Sequence, residues 1–83
     1  MKIYKIYQTV NGDYDTYDSA VVCAENEEEA KKIHPSPYRK EEVGIETTAF
    51  DGWCSLKDVK VEEIGDANDD MKKGVIVASF NAG

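Results

Sequence analysis

Eighty-three residues make one domain (1–83) near the small end of what folds alone, able to bury roughly 60% of its unfolded surface. Seventeen acidic residues against ten basic ones give a net charge of −7. That balance excludes non-specific attraction to nucleic acid or to an anionic membrane surface, since both draw on clusters of Lys and Arg. The opening MKIYKIYQTV lacks the apolar stretch of a signal peptide, and no run approaches transmembrane length, so a cytoplasmic protein is expected.

In chain order, residues 2–10 alternate imperfectly, with Ile3 and Tyr7 on one face and Tyr4, Ile6 and Val10 on the other, and predict a first strand. Asn11-Gly12 signals a turn, and NGDYDTYD gives the hairpin an extended acidic, tyrosine-bearing tip. Ala20 to Ala24 is a continuous apolar run, which fits a second strand covered on both faces. Asn26 with Glu29 three residues later reads as a capping box opening a short helix. Glu27, Glu28 and Glu29 in its first turn and Lys31 and Lys32 in its last suit the helix dipole. Pro35 stops it after His34, and only Ala30 and Ile33 face inward.

Between Pro35 and Trp53 the chain has two prolines and then IETTAF (45–50), the pattern of a short strand. Asp51-Gly52 reads as a turn, and Ser55 with Asp58 as a one-turn helix. Lys57 to Ile64 predicts a strand with Val59 and Val61 inward, GDANDD a second acidic loop, and Gly74 to Asn81 a last apolar strand, expected at the sheet centre. The expected fold is α+β: an antiparallel sheet of about four strands in the order β-β-α-β-β, one short helix packed on one face. The second face must then be covered by the 35–56 segment or by a second copy of the chain, which makes a homodimer the expectation.

Candidate functional residues fall into few groups. Asp13, Asp15 and Asp18 have oxygen-rich spacing but lack the glycine and glutamate of an EF-hand loop, and Asp66, Asp69 and Asp70 form a second acidic run. If the two loops lie together they make one negative patch, with Tyr14 and Tyr17 beside it, for a basic partner surface. Tyr38, Arg39, Lys40 and Trp53 are the alternative set, aromatics and cations that would stack a nucleobase. His34 is the single histidine, and Cys23, Cys54 and His34 lack the close ligand pairs of a zinc site. No metal, cofactor or direct nucleic-acid contact is expected. Cys54 as nucleophile with His34 as base has no support beyond both being present, so no enzyme is expected. Two reduced thiols, rather than a disulfide, fit the cytoplasmic reading.

The block YDTYDSAVV (14–22) and the terminal ASFNAG, within MKIYKIYQTVNGDYDTYDSAVVCAENEEEAKKIHP and KKGVIVASFNAG, resemble small proteins carried by bacteriophages and prophages. The resemblance covers a little over half of the chain. Those proteins have no established activity, so it assigns no catalytic residue. It implies a phage accessory role inside a bacterial host, including inhibition of a host defence protein in the manner of an anti-CRISPR. Set against this are an oligomeric binder that sequesters a small nucleotide signal and a phage protein of structural or regulatory role.

Overall fold

The computed structural model describes residues 1–12, 15–36, 41–47 and 52–81. In chain order they form β1 (Lys2–Tyr7), β2 (Thr16–Ala24), α1 (Glu27–Lys31), a single 3₁₀ turn (Leu56–Asp58), β3 (Lys60–Asp66) and β4 (Gly74–Asn81). The strands make one antiparallel open sheet in the order β3-β1-β2-β4, so the fold is α+β. The 3₁₀ turn between α1 and β3 is the one-turn helix expected at Ser55–Asp58, and it stands between the helix and the third strand in the element order.

Tyr4 faces Val22 and Ile6 faces Ala20 across the β1–β2 ladder, which puts four buried side chains on one face. Ala24, Ala30 of α1, Val43, Trp53, Cys54 and Val59 join the same cluster. The helix and the described part of the segment that follows it therefore cover one and the same face. This removes residues 41–47 and 52–56 as the expected cover for the other side. That opposite face carries Ile3, Lys5 and Tyr7 of β1, Val21 and Cys23 of β2 and Val77 of β4, none of them in the core cluster.

Asn26 caps α1 as its sequence requires, its side chain accepting from the Glu29 N–H at 2.9 Å. The reciprocal bond does not form, because the Glu29 carboxylate turns outward to Lys73. The helix ends at Lys31, before Pro35 is reached, with its buried contact made by Ala30. Ser55 and Asp58 do close one turn, the Ser55 hydroxyl donating to Asp58 Oδ2 at 3.2 Å.

Four expectations fail. The Gly74–Asn81 strand is an edge, not the centre, because β1 and β2 pair with each other and leave only outer positions. Val10 is 62% exposed, since β1 ends at Tyr7 and the chain turns at Gln8. Ile45 is 83% exposed in a turn rather than a strand, and positions 48–51 lie outside the described residues. β3 starts at Lys60, leaving Val59 buried at the exit of the 3₁₀ turn.

The Gln8 side chain holds the hairpin loop. Its Oε1 accepts from the N–H groups of Val10 and Asn11 at 2.9 and 2.7 Å, and its Nε2 donates to the carbonyls of Asn11 and Tyr17 at 2.7 and 3.0 Å. Asn11 Nδ2 then donates to the Trp53 carbonyl at 3.1 Å, and the Tyr17 N–H to the Gly52 carbonyl at 2.8 Å, which ties the hairpin to the core segment. Gly52 adopts φ +74°, a conformation glycine takes without strain.

Candidate functional site

The register separates the two acidic loops. Tyr7 pairs with Ser19 at one end of the sheet, whereas Lys2 pairs with both Ala24 and Asp66 at the other. Asp15 and Asp18 therefore lie at the hairpin end and Asp66, Asp69 and Asp70 at the opposite end, so no single patch forms from them. Asp13 and Tyr14 lie outside the described residues. Asp15 is exposed at φ 61°, and Asp18 is exposed within β2 rather than in a loop. Tyr17 is not a free loop aromatic either: it belongs to β2 and packs on the core, its ring 4.7 Å from Phe80 and edge-on to His34 at 6.3 Å.

What the topology does assemble is an acidic rim at the end where β1 starts. Glu25, Glu27 and Glu28, just beyond β2, are exposed there, as are Glu63, Asp66, Asp69 and Asp70 at the end of β3 and in the loop after it. Two cations are already engaged. Lys2 Nζ lies 3.3 Å from Glu63 and 3.8 Å from Asp66, and Lys73 is bound to Glu29. The hydrogen bond and charge of Glu63 raise the Lys2 ammonium above its ordinary value, and Glu29 does the same for Lys73. The hydrogen bond to Lys73 lowers the Glu29 carboxyl. These pairs lie at the surface and stabilise little, and the rim stays net negative because its carboxylates outnumber Lys2, Lys72 and Lys73. The rim was missed in the sequence because it combines α1, β3 and a loop that are distant along the chain.

The alternative ligand set is not brought together among the described residues. Trp53 is fully buried in the core and has no face to offer a base, and Tyr38, Arg39 and Lys40 lie outside the described residues. An open cleft of about 470 Å³ does border α1 and the start of β4, with Glu29, Glu41 and Glu42 set against Lys32 and Lys73, and His34 at its base. His34 is buried, and its Nδ1 accepts the Ser36 N–H at 3.0 Å, which makes it a brace for the Pro35 turn.

The two thiols are free and lie on opposite faces of the sheet, Cys54 in the core cluster and Cys23 opposite Ile3 in the β1–β2 ladder with its Sγ 3.9 Å from Met1 Sδ. Burial, then the nearby Asp58, pushes Cys54 from 9.0 up to about 11, so at neutral pH it is a protonated thiol and a poor nucleophile. The folded state keeps this proton where an unfolded chain loses it, and burial shifts Tyr4 in the same direction. Stability should therefore hold up to about pH 9 and fall as pH rises towards about 11, with a shallower fall in Cys54→Ala; thermal melts across that range measure it. Iodoacetamide should leave native Cys54 unmodified near neutral pH and label it once the chain is denatured. Among the described residues no three His, Cys, Asp or Glu side chains converge on a metal site, and no helix is long and apolar enough to cross a membrane.

Comparison with known proteins finds no matching family model, no matching curated protein and no matching solved structure.

Proposed function

We propose that this chain is a non-enzymatic binding protein of the phage accessory type, acting in the cytoplasm of a bacterial host by occupying a basic surface of a host protein. Inhibition of a defence protein is the role this reading favours, with the acidic rim standing in for the phosphates of a nucleic acid. The observation that carries it is the gathering of Glu25, Glu27, Glu28, Asp66, Asp69 and Asp70 on one exposed end while Lys2 and Lys73 are held in ion pairs. A basic groove built for a phosphate backbone offers the complementary field, and charge of this kind acts chiefly on encounter rate and partner choice.

The sequestering alternative has weaker support. The cleft beside His34 has three carboxylates against two lysines, one of them committed to Glu29, which disfavours an anionic nucleotide. The test compares partners retained from bacterial lysate by the wild type, by Asp66→Asn/Asp69→Asn/Asp70→Asn, and by Asp15→Asn/Asp18→Asn. The rim variant should lose its partner by ten-fold or more, and the hairpin variant should keep it. Equal retention by all three proteins would remove the charge-mimicry reading.

A further inference from the structure

Among the described residues, the sheet has two unpaired edges of opposite character. β3 reads KVEEIGD and exposes Lys60, Glu62, Glu63 and Asp66, charges that keep an edge from accepting another strand. β4 reads GVIVASFN and is the one strand of the sheet with no charged side chain. Three of the seven large hydrophobics exposed among the described residues sit on it: Ile76 (46%), Val77 (58%) and Phe80 (46%). No described strand pairs with its outer side. Ladder positions put Val22 opposite Val75 and Val21 opposite Val77, so Ile76 is a bulge, and a second shift leaves Asp18 of β2 unpaired between the Ser19–Ser79 and Tyr17–Phe80 positions.

We infer that the outer edge of β4 is a self-association site, where the β4 strands of two copies pair antiparallel about a twofold axis into one continuous eight-stranded sheet. Charge selects the occupant. Each chain carries −7, so two copies repel across most of their surfaces, and β4 is where they meet without bringing acidic side chains together. A basic partner gains nothing from an uncharged strand and is drawn to the rim instead. Pairing supplies partners for the free backbone groups of the edge. With the twofold axis at Val77, it also places Val77 of each copy beside the other, extending the apolar row begun by Val21 on the face that the helix leaves uncovered. The site is distinct from the acidic rim, and its test does not depend on which partner the rim takes.

An edge contact of this length buries less than a standard interface, which points to a dissociation constant on the order of micromolar or weaker. Sedimentation equilibrium of the full chain, over roughly 5 to 200 µM, should then show a monomer–dimer equilibrium. Val77→Lys should leave a folded monomer by circular dichroism, while Lys5→Glu, on the open face of β1, should still dimerise. Hydrogen exchange of the wild type should slow at Val77–Asn81 as concentration rises. A monomer throughout would overturn the inference, as would a dimer that survives Val77→Lys, one lost equally in Lys5→Glu, or exchange at β4 that ignores concentration.

Discussion

Trp53→Ala should destabilise the fold by about 3–5 kcal/mol, the usual loss when a buried indole is removed. Trp53 is the largest fully buried side chain and packs among Tyr4, Ile6, Val22, Ala30 and Val59, joining the sheet, the helix and the returning segment. A domain of this size holds about 5–10 kcal/mol in all, so the variant should sit near its unfolding threshold at ambient temperature. Trp53→Phe should behave differently. The indole Nε1 is buried with no hydrogen-bond partner, a cost of about 1–3 kcal/mol that phenylalanine does not carry. The smaller ring loses packing but sheds that cost, and the net change should stay within about 1 kcal/mol. Urea denaturation of the three proteins measures both values; a phenylalanine variant as unstable as the alanine one would mean that the N–H is not orphaned.

Substitution of Gln8 should have the second-largest effect. Its amide makes four hydrogen bonds to main-chain groups of the hairpin from a buried position. Gln8→Ala leaves these part-buried groups without the partner that closes the loop, at about 2–4 kcal/mol in total. Gln8→Glu should be at least as damaging, because a carboxylate then faces the Asn11 and Tyr17 carbonyls in place of the donating Nε2. The stability of that variant should rise as pH falls and the carboxylate is protonated. Melts of both variants near pH 4 and near pH 7 separate lost hydrogen bonds from buried charge. A glutamate variant as stable as wild type at neutral pH would show that the amide does not hold the loop.

Local signals were the legible part of this fold. The apolar run at Ala20–Ala24 and the Asn26 cap are fixed by neighbours within a few residues, and each forms where the sequence places it. Trp53 was not legible, because a lone aromatic after Asp51-Gly52 is consistent with a loop tip until packing between distant segments buries it. β4 was misplaced for a related reason. An uncharged strand normally marks a sheet centre, and an edge that keeps its apolar side chains exposed departs from the protection edges usually carry. Gln8 escaped notice because its role lies in main-chain partners that exist only once the hairpin has closed. For the candidate site, the acidic residues were legible as types and their grouping was not: strand order put Asp15 and Asp18 at one end and joined Asp66, Asp69 and Asp70 to the Glu25–Glu28 stretch at the other.

Native mass spectrometry of the protein recovered from a bacterial host tests most directly whether this chain acts by binding a macromolecule. The account predicts masses equal to the bare chain, its dimer and its complex with a host protein, the last of these depleted when Asp66, Asp69 and Asp70 are changed to Asn. A chain or oligomer that instead carries a tightly held small nucleotide, with no protein complex, would contradict it.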